Sequence, residues 1–296
     1  KSIAPWFGGK RTMAPTIVRE LGDHQQYFEP FCGSMAVLFA KEVSRCETVN
    51  DLHGDLINLA RVLQRIELAE QLYERLQRVV FAEPILKEAV TILENTPVPM
   101  TQGDPDIDRA YWYFLASWMA RNGVAGTARM EYQIAVRWTK NGGSPTVRFR
   151  GAVESIPDWH KRLKNVVILN RDAFRILDRF EDAKHTAIYV DPPYVAKSRS
   201  GYGKQGQGSK YLHEFDHNGG MFGDDHSAVA DVLRSYKHAR IVVSYYDCER
   251  VRELYRGWTF VDHTRLKNLH VQNGDGQTKN APEVLIINGK SYAATA

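Results

Sequence analysis

The amino-acid sequence predicts an α/β fold: an open, largely parallel sheet with helices on both faces, interrupted by a mainly helical insertion that carries a β-hairpin. Three observations predict it. Short apolar strands alternate with helical stretches in both outer parts of the chain, the rhythm that builds parallel sheets with helical crossovers. Residues 56–89 instead repeat apolar residues at helical spacings, and residues 107–121 read as a further helix. Finally, the apolar strand at 186–190 (TAIYV) runs straight into Asp191-Pro192-Pro193-Tyr194, at the strand end where open α/β sheets bind ligands. The sheet is assigned to residues 1–57 and 165–296, and the insertion to residues 58–164. With 43% hydrophobic residues over 296 positions, the chain can bury a sizeable core.

In chain order, residues 10–21 follow an opening loop as a helix. Residues 26–30 (QYFEP) form a strand that ends in the turn Phe31-Cys32-Gly33-Ser34. Residues 35–43 form a helix, and residues 47–51 (ETVND) a second strand that ends on an acid. Residues 56–89 read as helical. Residues 95–106, with three prolines, read as a loop, and residues 107–121 as an aromatic-rich helix. Residues 123–151 read as a hairpin with arms at 136–138 (VRW) and 146–150 (TVRFR), joined by Asn141-Gly142-Gly143-Ser144-Pro145. The α/β rhythm then returns with a strand at 166–169, a helix at 173–180 and the strand at 186–190. A helix at 226–236, with Asp224 or Asp225 as N-cap, precedes strands at 241–244, 258–263 and 284–288. Residues 197–210, with four glycines, four basic residues and no acid, read as a mobile loop.

The composition narrows the function classes. No apolar run approaches the roughly 18 residues needed to span a bilayer, and the first residues lack the apolar stretch of a signal peptide. Cys32, Cys46 and Cys248 are scattered without a CxxC pair, so neither a zinc site nor a disulfide framework is indicated; a reducing, cytoplasmic setting is expected. The net charge of +4 is unevenly spread. From Arg121 to Arg171 there are ten Lys or Arg against three acids, so that segment carries +7 and the remainder −3. A basic segment on a near-neutral body suits a polyanion-binding surface, although a merely solvated basic face has the same composition. His213, His217 and His226 lie near Asp216, Asp224 and Asp225, but the region is glycine-rich and no metal is expected there.

The strongest chemical signal is Asp191-Pro192-Pro193-Tyr194. Consecutive prolines fix φ and remove two backbone donors, leaving carbonyl oxygens to face a ligand beside a carboxylate and an aromatic ring. An exocyclic amino group on a base is a poor nucleophile, because its lone pair is delocalised into the ring. The Asp191 carboxylate and the Pro192 carbonyl can accept its two hydrogens and favour a more tetrahedral nitrogen. Tyr194 can stack on the base. Without its strand and the following basic loop, the same tetrapeptide would be an ordinary turn. Ser244-Tyr245-Tyr246-Asp247 ends another strand and is expected beside the same pocket.

These residues, with four further motifs in order, resemble the Dam-type (α-group) adenine-N6 DNA methyltransferases, phage-like members in particular. The resemblance covers most of residues 1–57 and 165–296. It is carried by Trp6-Phe7-Gly8-Gly9-Lys10, by Phe28-Glu29-Pro30-Phe31-Cys32-Gly33-Ser34, by Asp51, by Asp172 with Phe174, and by Asp191 to Tyr194. It implies a Rossmann-like methyltransferase sheet that binds S-adenosylmethionine, and an inserted segment that recognises double-stranded DNA. It implies cofactor contacts from Trp6, Phe7, Lys10, Glu29, Pro30, Phe31, Cys32, Gly33, Asp51, Asp172, Ala173, Phe174 and Asp191. Asp51 would hold the ribose hydroxyls, with a turn-capping Asp as the plain alternative; Asp172 would hold the cofactor's adenine, with a helix N-cap as its alternative. Asp191, Pro192, Pro193 and Tyr194 would act on the target amine. The family usually has a second glycine in its cofactor turn, where Ser34-Met35 stand here; that narrows the room beside the methionine part of the cofactor.

The resemblance further implies a methyl displacement on a flipped base, in a bacterial or phage setting, with or without a cognate restriction enzyme. DNA contacts are expected from Arg121, Asn122, Arg129, Arg137, Lys140, Arg148 and Arg150, and from Lys197 and Arg199 on the glycine-rich loop. Three other functions fit parts of the pattern: a cytosine-N4 DNA methyltransferase, an RNA base methyltransferase, and a non-catalytic DNA-binding module. The first more often has Ser at the position of Asp191; motif order favours DNA over RNA; intact Lys10, Asp51, Asp172 and Asp191 speak against the last.

Overall fold

The computed structural model describes residues 2–6, 8–98, 103–121, 133–138, 143–195, 213, 215, 224–263, 265–266, 280–281 and 283–292. Its strands are β1 (Gln26–Glu29), β2 (Cys46–Asn50), β3 (Val167–Leu169), β4 (Thr186–Val190), β5 (Arg240–Tyr246), β6 (Thr259–Asp262), β7 (Arg265–Leu266), β8 (Asn280–Ala281) and β9 (Glu283–Ile287). Its helices are α1 (Ala14–Leu21), α2 (Gly54–Gln64), α3 (Ile66–Gln77), α4 (Glu83–Asn95), α5 (Ile107–Met119), α6 (Pro145–Val153), α7 (Ile156–Leu163), α8 (Asp225–Ser235) and α9 (Glu249–Leu254). Among the described residues, no helix is long and apolar enough to cross a membrane.

Seven strands form one sheet in the order β3-β2-β1-β4-β5-β9-β6, while β7 and β8 pair apart from it. β1 pairs in parallel with β2 and β4, β2 with β3, and β4 with β5. β9 runs antiparallel between β5 and β6. The chain builds outward from β1 to β3 and then returns to lay β4 on β1's other side. That reversal opens a crevice at the carboxyl ends of β1 and β4, the usual ligand position in such sheets.

Side-chain alternation divides the core into two layers. Tyr27, Val49, Ala187, Tyr189, Val242, Leu285 and Ile287 pack with α1 and the helices α2–α7. Phe28, Ile188, Val190, Ile241, Val243, Val284 and Ile286 pack with α8, α9 and the turn after Asp172. The sheet is therefore covered on both faces, as near-continuous apolar strands such as TAIYV require. Buried ion pairs join the helices after β2 to the sheet. Arg162 of α7 reaches Glu47 of β2 at 2.5 and 2.8 Å, and Lys41 meets the same carboxylate at 2.5 Å.

Several expected elements differ. The helix expected at 35–43 is a series of turns, because Met35 takes the left-handed φ of 61° and residues 35–38 are buried on all sides. The hairpin expected between 136–138 and 146–150 is absent: residues 136–138 are not a strand, and 146–150 lie in α6. Ser144 accepts the Val147 N–H at 3.2 Å and Pro145 occupies the first turn; these helix-start signals outweigh the apparent alternation. The expected helix at 173–180 shrinks to a 3₁₀ turn, Ala173–Arg175, since Asp172 closes an Asx turn onto Phe174 N and Ile176 leaves helical geometry at φ −132°. The run 56–89 breaks at Arg65, whose extended backbone ends α2 and starts α3, and again before Pro84. Asp224, not Asp225, caps α8.

Candidate active site

The crevice holds a cavity of about 360 Å³, within the range of small-molecule sites. Its walls include Trp6, Lys10, Glu29, Pro30, Phe31, Cys32, Gly33, Asp51, Asp172, Ala173, Phe174, Asp191 and Pro193, which the fold gathers from five separate segments. Phe7 lies outside the described residues. Pro192 and Tyr194 are not on the wall.

The turn after β1 owes its shape to Gly33. Its φ is 44°, and a Cβ there would lie 2.7 Å from Trp6 Nε1, so any side chain would meet both strain and a fixed indole. Gly33 N donates to Asp51 Oδ2 at 2.8 Å, and His53 N donates to Asp51 Oδ1 at 2.9 Å. Two backbone amides thus aim the Asp51 carboxylate, whose remaining lone pairs can accept from hydroxyls. Met35, where a second glycine is usual, keeps a left-handed backbone and buries its side chain completely. It is absent from the cavity wall, whereas Ser34 lines it. The turn therefore keeps the backbone path of a glycine while its side chain fills core.

At the tip of β4, Asp191 is held from two sides. Ser244 of β5 donates to Oδ1 at 2.7 Å and itself pairs with the Tyr189 hydroxyl at 2.9 Å. Lys10 Nζ lies 2.9 Å from Oδ2 and donates to Gly8 O at 2.8 Å. Burial pushes the Asp191 carboxyl above the usual carboxylate range, against the pull of Lys10 and Ser244. Tyr194 faces inward rather than into the cavity: it is 3% exposed, and its ring meets Tyr246 edge-on at 4.6 Å. Glu29 closes the end of β1. Its carboxyl accepts from Tyr27 at 2.8 Å, and burial pushes its pKa to about 8 although that hydrogen bond opposes the shift.

Sequence reasoning missed several wall residues. Asn50 is the clearest. Its Nδ2 donates to Pro30 O and Arg171 O, each at 2.9 Å, and its Oδ1 accepts from Arg171 N at 2.9 Å. It therefore ties the turn after β1 to the loop of Asp172; an Asn just before an acid at a strand end is the only signal that marked it. Phe215 joins Phe31 at 5.7 Å and Phe174 at 5.6 Å, making an aromatic rim from three segments that no local pattern links.

The expected DNA contacts are scattered. Arg121 and Arg137 are exposed, beside exposed Val136 and Trp138. Arg121 leans on Gln133 Oε1 at 3.1 Å. Arg148 is half-buried. Arg150 donates to Gln77 O at 3.0 Å and Val79 O at 2.7 Å, closing the end of α3. Asn122, Arg129, Lys140, Lys197 and Arg199 lie outside the described residues.

The chain is 26% identical over 299 residues to the Retron Ec67 DNA adenine methylase of Escherichia coli, covering 97% of this chain and 91% of that protein. It is 22% identical over 287 residues to a DNA adenine methylase of Vibrio cholerae serotype O1, covering 94% and 93% respectively. Residues 6–270, which include the Lys10 segment, the Gly33 turn, Asp51, Asp172 and Asp191, match the description of a single family throughout: the chain belongs to the D12 class N6 adenine-specific DNA methyltransferases.

Proposed function

We propose that this chain moves a methyl group from S-adenosylmethionine to N6 of an adenine flipped out of double-stranded DNA, with Asp191 holding the target amine. The observation that carries this reading is the shared cavity: a buried carboxylate at the tip of β4 opens onto the same space as Gly33, Asp51 and Asp172. The residues present fit that donor. Gly33 lets the turn pass close against the Trp6 indole on the cavity wall, Asp51 presents an aimed carboxylate for ribose hydroxyls, and Phe174 lines the cavity beside Asp172. When bound, the cofactor supplies a sulfonium methyl as the electrophile.

The chain's own part is orientation and proton handling. Asp191 accepts an amino hydrogen, which favours a more tetrahedral nitrogen with its lone pair localised on one face of the base. As the nitrogen gains its fourth bond it releases a proton, and Asp191 is the nearest base. A carboxylate whose pKa burial has raised is a better acceptor for that proton than an exposed one. Ser244 and Lys10 fix the two oxygens of Asp191 and so set the direction of acceptance. Residues 58–164 serve as the target-recognition segment. Asp191, rather than Ser, favours adenine over cytosine, as the family does.

Mass spectrometry of nucleosides from DNA incubated with the chain and S-adenosylmethionine tests this function. N6-methyldeoxyadenosine is the expected product. N4-methyldeoxycytidine alone, or no methylated nucleoside, would overturn it.

The two exposed and engaged arginines should separate in DNA binding. Arg137→Ala is expected to lower the slope of log K against log salt by about 0.9, the value of one phosphate contact, with folding stability unchanged. Arg150→Ala should leave that slope alone and cost about 1 kcal/mol of stability, because its guanidinium caps the carbonyls ending α3. Salt titrations by fluorescence anisotropy, alongside urea unfolding, check both; the reverse pattern would exchange their roles.

A further inference from the structure

One carboxylate behind the site has no part in the reaction as described so far. Glu283 opens β9, whose antiparallel register sets it beside Tyr246 of β5. Its main-chain oxygen accepts from His263 N at 2.8 Å, so its backbone is anchored. It does not line the cavity. Its Oε1 instead accepts the Tyr194 hydroxyl at 2.7 Å and lies 3.4 Å from Lys10 Nζ. The same Nζ is 2.9 Å from Asp191 Oδ2 and 4.9 Å from the centre of the Tyr194 ring. The side chains of Lys10, Asp191 and Glu283 are 6%, 20% and 15% exposed, so these charges act through a poorly screened medium.

Two carboxylates thus face one ammonium. The arrangement bears on a difficulty in the reaction. Each oxygen of Asp191 keeps a second lone pair beside its partner, but at Oδ2 the Lys10 ammonium stands 2.9 Å away, so a target amine there must share the oxygen with a buried cation. Pulling a buried ammonium away from its partner is costly when nothing replaces that partner. A second anion next to the same nitrogen removes most of this cost, because Lys10 can lean toward it over a short path. The hydroxyl bond to Tyr194 holds that second anion in place and fixes the ring over which Lys10 moves.

We infer that Glu283 is a positioning residue of the transfer site: it holds the Tyr194 hydroxyl and offers Lys10 a second carboxylate, so that Oδ2 of Asp191 can turn to the target amine. This rests on the role given to Asp191 above. The residue acts through Lys10 and Tyr194 and does not touch the base.

Single-turnover methylation of duplex DNA tests it, with affinities for S-adenosylmethionine and DNA measured separately on each variant. Glu283→Gln keeps an acceptor for Tyr194 but removes the charge. It should slow the transfer step about tenfold and leave both affinities within about twofold, a loss a merely structural role would not confine to the rate. Glu283→Ala, which also frees Tyr194, should slow it by about a hundredfold. Glu283→Asp keeps the charge and should retain at least about a third of the wild-type rate. A wild-type rate in Glu283→Gln, or equal loss in Glu283→Asp and Glu283→Ala, would overturn the inference. Should the Gln variant fail to fold, the comparison of Asp with Ala decides alone. Absence of methylation by the wild-type chain in the same assay would instead sink the functional reading on which the inference rests.

Discussion

Asp191→Ala is expected to slow methyl transfer by at least about a thousandfold while cofactor affinity stays within a few-fold. The variant loses three things together: the acceptor for the amine hydrogens, the base proposed to take the released proton, and the charge that orders Ser244 and Lys10. The groups proposed to face the cofactor are spared, because Asp51 is aimed by the amides of Gly33 and His53, and the turn after β1 is tied to the Asp172 loop through Asn50. The fold should also survive. Lys10 keeps the Gly8 carbonyl at 2.8 Å and Glu283 at 3.4 Å, so no buried cation is stranded. Single-turnover rates with a labelled methyl donor, set beside calorimetric binding of the cofactor, separate the two quantities. Wild-type rates in the variant would remove Asp191 from the chemistry; loss of binding in proportion to rate would make it a binding residue only.

The second expectation is that a carboxyl of the cavity makes the ligand-free protein less stable as pH rises. Glu29 is fully enclosed at the end of β1, and burial raises its pKa from the usual 4.5 to about 8. Below about 4.5 both the folded and the unfolded chains hold this proton, and the group contributes no slope. Between about 4.5 and about 8 the folded chain keeps the proton and the unfolded chain does not, so stability falls with rising pH. Above about 8 both forms are ionised and the loss is complete. At about 1.4 kcal/mol per pH unit, the total is on the order of several kcal/mol. Glu29→Gln should abolish this component, making the variant more stable than wild type at pH 8 and close to it at pH 5 while weakening cofactor binding. Urea unfolding across that range checks it, and parallel curves for the two proteins would refute it. A buried wall residue that destabilises the empty site fits the usual trade between stability and activity.

Much of this protein is written locally. Alternation and spacing were enough to place all the central strands within a residue or two, because a strand buried on both faces must be apolar throughout. The segments that meet at the cavity were also legible, since a carboxylate stands at a strand tip and a glycine where backbone must approach a neighbouring ring. Legibility failed where local signals competed. Residues 146–150 alternate like a strand, yet Ser144 and Pro145 start a helix; residues 35–43 have helix formers, yet the buried, left-handed Met35 prevents one.

What the sequence by itself determined is therefore the sheet's strands, the order of the motifs and many, though not all, of the residues that line the crevice. Tertiary structure alone decided which of those residues meet. It brought Glu283 to Lys10 and Tyr194, turned Tyr194 inward, set Asn50 between two loops, and engaged Arg150 with the end of α3. The physical reason is range: backbone preference and periodicity act over a few residues, whereas a contact between positions 10 and 283 exists only once the sheet has folded the chain back on itself.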